Sequence, residues 1–424
     1  MTRGLRVIVG LLAGVFLAVT VFLVPGPALS AEPIIIGVPT SLGFLEGKES
    51  YNAVMLAVDE INKAGGVQVG KTKRPFKVVA LDIRDAAPGV PVPDALLGIE
   101  KLILGKKPHA LVVGPFRSEA LLAGMDLLAK HKVPLLGTIA MTPKSDAMVA
   151  KDPKYKYVFR VCLNAKYFVG YLVGTMKFIQ KKFGFNKVFI MHQDVAWARI
   201  TAKIMTGIYG KLGWKVVGTA SFPTGSSKFE SALLKAKMKG AQVILPIFDM
   251  PQSGILVKQW RAMRVPALMA GFISPLAGSA AWTIFDKKIG GAINAIFELG
   301  NIPSAKYPPA AAFYQAYQKK YGKEVQAGHG PAPSYASVYL LKAAIEKAGS
   351  VQADAIVAAL EKVETAAVMG KAKFSKGHQV VYGADPGKQA LGCVFQWTND
   401  GKRVIVFPPS VAEGQITLPA WMKK

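Results

Sequence analysis

The chain has 424 residues, 51% of them hydrophobic, and a formal net charge of +27. A chain of this size and composition can bury a large core, is long enough for two domains or three, and is not an intrinsically disordered protein.

The N-terminus has the layout of a secretory signal peptide. Two arginines precede an apolar run over residues 7–24, and helix breakers and small residues follow it up to Ala31. We expect cleavage after Ser30 or Ala31, so that residues 1–31 form the leader and the mature chain is soluble and lies outside the cytoplasm. An uncleaved membrane anchor is the alternative, because the apolar run is near the minimum length for a span.

Apolar strands then alternate with amphipathic helices. The strands of the first series are predicted in "PIIIGVPT", "FKVVALDIRD", "HALVVG" and "VPLLGT". A second series begins after Arg160, with strands in "KVFIMHQD", "WKVVGTASF", "AQVILPIF" and "ALMAGF". Apolar strands separated by helices indicate parallel sheets that are buried on both faces.

The stretch "AGGVQVGKT", residues 64–72, matches the spacing of a phosphate-binding loop. Such a loop needs a strand before it and a helix after it, so that the helix N-terminus faces the phosphate. Here a predicted helix over Glu49 to Lys63 precedes the stretch and a strand follows it. The sequence therefore favours a helix end and a glycine-rich turn over a nucleotide site.

Export also weakens the usual interpretation of a basic chain as a nucleic-acid-binding protein. Loss of the leader's two arginines takes the net charge from +27 to +25. The lysines are scattered along the chain and are not interleaved with aromatic residues. We expect a soluble, self-repelling surface and no nucleic acid, with an anionic ligand, membrane surface or partner as the alternatives.

The sequence carries few signs of metal or catalytic chemistry. Cys162 and Cys393 either pair or remain two buried free thiols, and both alternatives stay open. The five histidines are dispersed, so we predict no metal site and no cofactor. The sequence "HQD" at 192–194 ends a strand without an evident nucleophile nearby, which favours a structural or ligand-facing loop. We therefore predict that the protein is not an enzyme.

Polar residues follow two neighbouring strands of the first series. Ser118 in "VVGPFRSEA" starts a helix, and Thr142 in "GTIAMTPKSD" precedes a first-turn proline. Ligands of open parallel sheets bind at the carboxyl ends of the strands. The two hydroxyls and the helix amides form either an anion pocket or ordinary helix caps.

The chain resembles the Leu/Ile/Val-binding family of type I periplasmic solute-binding proteins, which serve ABC transporters. The resemblance rests on the order and spacing of several stretches: "AVDEINKAGG", "VVGPFRSEA", "VPLLGTIAMTP", "IMHQDVAWA" and "GCVFQWTNDGK". It implies two doubly wound α/β lobes joined by a three-crossing hinge. Lobe 1 would comprise 32–160 plus 297–388, and lobe 2 would comprise 161–296 plus 389–424.

The resemblance also implies ligand-binding residues in the first lobe. The family's carboxylate-binding serine matches Ser118, and Phe116 and Arg117 lie beside it. The guanidinium of Arg117 suits a carboxylate, although it could instead face solvent. The loop that supplies a carbonyl and a hydroxyl or amide matches the stretch from Ala140 through Met141 to Thr142.

Other positions come from the second lobe and from the first loop. The aromatic residue that closes over the ligand matches Trp197, and the next loop contributes Asp249. The ligand-side aromatic of the first loop falls near Glu46. The family's acidic ammonium-binding position falls on Phe272 or Ile273, which cannot pair with a cation. Binding of an α-amino acid would then need Glu46 or Asp249.

These observations predict the periplasmic component of an ABC importer. It would capture a small carboxylate-bearing or amino-acid-like solute by cleft closure, act as a monomer and dock on a permease in the inner membrane. A ligand-sensing module that signals to a membrane receptor is the alternative. An exported hydrolase has little support, because no nucleophile and base are paired in the sequence.

Overall fold

A computed structural model describes Met1 and residues 32–422. The predicted leader with its candidate cleavage positions lies outside the described residues. Within 32–422, no helix combines the length and the apolar character needed to cross a bilayer.

The first series of elements builds a five-stranded sheet in the order β4-β1-β5-β6-β7, with all neighbours parallel. The elements in chain order are β1 (Ile34–Thr40), α1 (Leu45–Lys63), β2 (Val67–Val69), β3 (Thr72–Arg74), β4 (Phe76–Asp82), α2 (Val92–Lys106), β5 (Ala110–Val113), α3 (Ser118–His131), β6 (Leu135–Gly137), α4 (Pro143–Lys151) and β7 (Val158–Arg160). The interior strand β1 reads IIIGVPT and is almost wholly buried, because helices cover both faces of the sheet.

The second series builds a seven-stranded sheet in the order β16-β15-β12-β11-β10-β8-β9. Its first elements are α5 (Ala165–Phe183), β8 (Lys187–Gln193), α6 (Ala196–Lys211), β9 (Lys215–Phe222), α7 (Glu230–Met238), β10 (Val243–Phe248), α8 (Gly254–Ala262), β11 (Leu268–Ile273), α9 (Ala281–Ile284) and β12 (Ile293–Ile296). Strands β8 to β12 are parallel. Helices α5 and α6 cover one face and α7 and α8 cover the other.

The remaining chain returns first to one sheet and then to the other. Its elements are α10 (Pro308–Tyr321), α11 (Pro331–Ala348), α12 (Ala353–Leu360), β13 (Glu364–Ala367), β14 (Gly370–Lys373), β15 (Cys393–Trp397) and β16 (Arg403–Phe407). Four short 3-10 turns occur at Pro153–Tyr155, Pro251–Ser253, Ser274–Leu276 and Ala420–Met422. Helices α10 and α11 pack on α1, whereas β15 and β16 extend the second sheet in antiparallel pairing.

The chain therefore passes between the sheets three times, after β7, after β12 and before β15. This arrangement confirms the predicted fold class of two doubly wound α/β lobes with a three-crossing hinge. The lobe limits at 160, 296 and 388 stay a prediction, because a crossing segment contacts both lobes. Cys162 and Cys393 are both buried and are not joined to each other.

The glycine-rich stretch at 64–72 forms no phosphate cradle. Helix α1 ends before it, and the antiparallel hairpin of β2 and β3 follows, with Val67 opposite Arg74. Gly66 has a φ of +84°, and a Cβ there would lie 2.6 Å from the carbonyl oxygen of Arg74. The second glycine is thus required by the turn into the hairpin.

Candidate ligand-binding site

A small pocket lies between the two sheets, at the carboxyl ends of their parallel strands. Both lobes and one crossing segment form its walls. The lining residues are Glu46, Phe116, Ile139, Met141, Trp197, Asp249, Phe272, Phe297 and His329. The free space inside is about 20 Å³, which is room for roughly one water molecule. The pocket as described is therefore smaller than any amino acid or aromatic acid.

Aromatic rings form the apolar wall of this pocket. The rings of Phe272 and Phe297 lie 4.1 Å apart at an angle of 31°, and Trp197 meets both edge-on at 6.0 and 6.4 Å. The three side chains are between 1 and 7% exposed. Such a wall offers a large apolar contact area with few rotatable bonds, which suits a flat or branched apolar group.

A buried ion pair joins the two lobes beside the pocket. Arg117 Nη1 donates to Asp249 Oδ2 at 2.7 Å, and Trp197 Nε1 donates to the same oxygen at 2.7 Å. Burial lowers the pKa of the Arg117 guanidinium, but the carboxylates of Asp249 and Asp85 outweigh burial and the net pKa is raised. The other oxygen of Asp249, Oδ1, is buried and has no hydrogen-bond partner among the described residues.

A second contact between the lobes involves Glu46 in the first turn of α1. Its carboxyl is 3% exposed and accepts a hydrogen bond from Ser274 Oγ of the second lobe. Burial raises the pKa of this carboxyl to about 7, and the negative charge of Asp249 adds to the increase. Glu46 therefore changes charge near neutral pH, and the pocket then holds two acidic side chains of which one is half protonated.

A buried His–Glu pair lies behind the pocket at the crossing segments, and sequence reasoning missed it. His329 Nδ1 lies 3.0 Å from Glu298 Oε1, and its Nε2 lies 2.6 Å from the carbonyl oxygen of Ile139. Both ring nitrogens face oxygen atoms, an arrangement that favours the doubly protonated imidazolium. Burial lowers the pKa of His329, but Glu298 reverses this effect and raises it overall.

Glu298 also binds the crossing segments together. Its carboxylate accepts hydrogen bonds from the backbone amide of Leu163 at 3.2 Å and from that of Gly330 at 3.1 Å. The only sequence signal for this cluster was a pair of charged residues, Glu298 and His329, near predicted crossings and loops. The pairing itself depends on contacts between residues 31 positions apart.

The two predicted hydroxyl donors of the first lobe differ in the structure. Ser118 is the first residue of α3, is 4% exposed and has a buried Oγ without a partner among the described residues. Thr142 is the N-cap of α4, and its Oγ1 accepts from the amide of Lys144 at 3.2 Å. Thr142 thus serves as a helix cap, whereas the hydroxyl of Ser118 is buried without a partner among the described residues, and neither residue lines the pocket.

The predicted carbonyl loop is also partly occupied. The carbonyl oxygen of Ala140 lies 3.7 Å from the sulfur of Cys162, and that of Thr142 accepts from Arg160 Nη1 at 3.2 Å. The carbonyl of Met141 accepts from the amide of Ala165 at 2.9 Å. Of this loop only the side chain of Met141 lines the pocket.

The side chains of Phe272 and Ile273 point to opposite faces of the second sheet, as expected for neighbours on a strand. Phe272 lines the pocket, whereas Ile273 packs into the core on the opposite face of the second sheet. The predicted site residues that reach the pocket wall are thus Glu46, Phe116, Met141, Trp197, Asp249 and Phe272. Sequence reasoning did not select Ile139, Phe297 and His329 for this wall.

The "HQD" stretch contributes no catalytic arrangement. His192 Nδ1 lies 3.0 Å from the carbonyl oxygen of Gln193, and Asp194 pairs with Arg199 at the surface. In the part of the chain that the structure describes, no group of three or more His, Cys, Asp or Glu side chains is placed to hold a metal ion.

Several proteins of known structure or sequence are similar to this chain over most of its length. The chain is 25% identical over 392 residues to Leu/Ile/Val-binding protein homolog 7 of Brucella suis, a match that covers 88% of this chain and 90% of the relative. It superposes with a TM-score of 0.70 and 23% identity on the branched-chain amino acid transporter substrate-binding protein LivJ of Streptococcus pneumoniae in complex with isoleucine, over 89% of this chain and 100% of that one. A solute-binding protein of R. palustris in complex with benzoate also gives 0.70, at 16% identity, over 92% and 99% of the two chains.

A match to the family as a whole extends over most of the chain. The family model for the periplasmic binding proteins matches residues 39–390, which include most of both sheets and the first two crossings. The chain therefore belongs to the periplasmic binding protein family, as its resemblance to the Leu/Ile/Val-binding proteins predicted.

Proposed function

We propose that this chain is the periplasmic solute-binding component of an ABC importer and captures a small carboxylate-bearing or amino-acid-like solute with an apolar body. One observation carries the proposal: a single pocket takes its walls from both lobes, with Glu46 and Phe116 on one side and Trp197, Asp249 and Phe272 on the other. A ligand in such a pocket contacts both lobes only when they are closed. Its binding therefore shifts the population toward the closed form.

Each part of the solute has a candidate partner. The free hydroxyl of Ser118 and the amides at the start of α3 suit a carboxylate. Oδ1 of Asp249 and the carboxyl of Glu46 suit an ammonium group. These two acidic side chains would take the place of the acidic residue that the chain lacks at Phe272. The rings of Trp197 and Phe272 cover the apolar body.

The solved relatives support this class of ligand. One is a complex with isoleucine and the other is a complex with benzoate, so each holds a carboxylate attached to an apolar group. We propose that the present chain acts without catalysis, as a monomer that delivers its solute to a permease. Uptake of the solute by cells with and without the gene separates transport from a purely sensory role.

The ligand proposal is tested by melting the purified mature protein with isoleucine, other amino acids, benzoate and small amides in turn. A ligand at 100 times its dissociation constant should stabilise the protein by about 2.7 kcal/mol. Ser118→Ala should remove most of that stabilisation while leaving the melting temperature of the free protein nearly unchanged. Ser231→Ala, at an exposed serine on α7, is the matched control.

Two results would contradict the proposal in different ways. Normal binding by Ser118→Ala would show that the carboxylate subsite is wrong. A radius of gyration that no solute changes would show that capture by closure is wrong.

A further inference from the structure

The positive charge of the protein is unevenly distributed along the chain. Residues 32–160 contain 18 Lys and Arg and 13 Asp and Glu, whereas residues 161–296 contain 18 Lys and Arg and only 4 Asp and Glu. One of those four, Asp249, is buried in the pair with Arg117. Most of the second lobe's cations thus have no carboxylate nearby to neutralise them.

The topology of the second sheet collects many of these cations at one end. In a parallel α/β sheet, the N-terminal ends of the strands and the C-terminal ends of the helices share one edge. Lys187 and Lys215 begin β8 and β9, Lys211 ends α6, and Lys235, Lys237 and Lys239 lie at the end of α7. We call these six residues the distal lysine cluster.

Backbone contacts place the start of β8 beside the start of β9 and near the end of α7. The amide of Lys215 donates to the carbonyl of Asn186 at 2.7 Å, and the amide of Gln242 donates to the carbonyl of Lys187 at 2.9 Å. Gln242 follows α7 by four residues, so the end of that helix lies beside the start of β8. Lys187 and Lys215 are direct register partners.

The distal lysine cluster contributes little to the stability of the fold. All six side chains are exposed, and none forms an ion pair with a carboxylate of residues 32–422. Like charges directly opposite each other on neighbouring strands are destabilising. Two other acidic residues of the second lobe, Asp286 and Asp400, pair with Lys258 and Lys402 instead.

Large apolar side chains are exposed among these lysines. Met238 is 79% exposed and Leu234 is 49% exposed. They are four residues apart and therefore lie on the same face of α7, with Lys237 between them. The opposite face, with Leu233 and Ala236, is buried against the second sheet.

We propose that the distal lysine cluster, with Met238 and Leu234, binds the surface of an anionic phospholipid bilayer. Lysines meet phosphate headgroups as flexible point charges, and the exposed apolar side chains reach the boundary with the acyl chains. A bilayer is favoured over an acidic protein because exposed lysines at several strand starts and helix ends stand beside the exposed apolar side chains of Met238 and Leu234, a combination that fits headgroups and acyl chains together. The proposal goes beyond solute capture. It rests on the proposed function only for the location of the protein outside the cytoplasm.

The position of the cluster leaves the ligand site accessible. Strand β8 has seven residues, so its two ends are about 20 Å apart. The pocket lies at one end and the lysines lie at the other. Membrane contact at this end would hold the protein near its permease and raise its effective concentration there without blocking the cleft.

The test is sedimentation of the purified mature protein with vesicles. One set is pure phosphatidylcholine and the other contains equal parts of phosphatidylcholine and phosphatidylglycerol. We expect binding to the second set only, and a loss of that binding as salt is raised above about 0.15 M. Lys235→Gln, Lys237→Gln and Lys239→Gln together should weaken it roughly 100-fold, because each lysine near such a surface contributes about fivefold.

A matched triple variant separates a local surface from net charge. Lys101, Lys106 and Lys319 are exposed lysines of other regions, and their replacement by Gln changes the charge equally. This control should bind nearly as the native protein does, and both variants should keep its melting temperature. Equal loss of vesicle binding in the two triple variants would overturn the proposal. Failure of the native protein to bind the phosphatidylglycerol vesicles would also overturn it, even if the protein bound an acidic protein. Met238→Ser should weaken binding without changing its salt dependence.

Discussion

Replacement of Glu46 by glutamine should remove a pH dependence from the stability of the protein. The carboxyl is buried and its pKa is raised from 4.5 to about 7. Between these two values the native state binds more protons than the unfolded chain, so the free energy of unfolding falls as the pH rises through this window. Ionising such a carboxyl in the native state costs about 3 kcal/mol, the equivalent of the pKa difference.

The Glu46→Gln variant would keep a side-chain oxygen that can accept from Ser274, and its amide would stay neutral at every pH. Below about pH 4.5 the variant and the native protein should therefore be almost equally stable, and above about pH 7 the variant should be more stable by up to about 3 kcal/mol. Equilibrium urea unfolding at several pH values measures this difference.

The matched control is Glu119→Gln, at an exposed glutamate in the first turn of α3. It isolates the effect of burial, since the same chemical change is made where solvent reaches the side chain. Native and Glu46→Gln curves that run parallel from acid to neutral pH would refute the reasoning, because they would show that Glu46 ionises in the native state as it does in the unfolded chain.

Three further outcomes follow from the structure. Asp249→Asn leaves the guanidinium of Arg117 without its charge partner, so it should destabilise the closed form by about 3 kcal/mol. The melting temperature should fall and the radius of gyration should rise. No change in either quantity would contradict this prediction. Gly271→Ala places a Cβ 2.2 Å from the carbonyl oxygen of Pro246. It should lower the free energy of unfolding by about 1–3 kcal/mol, as measured by urea unfolding. An unfolding midpoint that stays at the native value would argue against this close approach. The thiols of Cys162 and Cys393 are buried with raised pKa values, so a thiol reagent should label neither in the native protein and both in denaturant; rapid native labelling would oppose the described burial.

The order of apolar and polar residues was enough to predict the alternation of strands and helices. Runs such as IIIGVPT and VILPIF are buried strands because nearly every residue in them is apolar. It also predicted which loops face the cleft, since the carboxyl ends of parallel strands share one edge. Six of the eleven predicted site residues line the pocket, and those six were named through the family resemblance.

How side chains from distant parts of the chain combine depends on the folded arrangement of the strands and helices. The sequence pattern could not show that Thr142 is used as a helix cap while Ser118 is free, or that Asp249 pairs with Arg117. Nor could it show the pair of Glu298 and His329. Each depends on side-chain geometry set by packing, which local sequence does not specify.

The lysines show most clearly the difference between what the sequence predicts and what the folded structure shows. Along the chain they look scattered, and the sequence predicted only a self-repelling surface. In the folded lobe, helix ends and strand starts come together, so residues as far apart as Lys187 and Lys239 meet at one end of the sheet. Composition fixes the amount of charge on a protein, but the order and direction of the strands decide where that charge is concentrated.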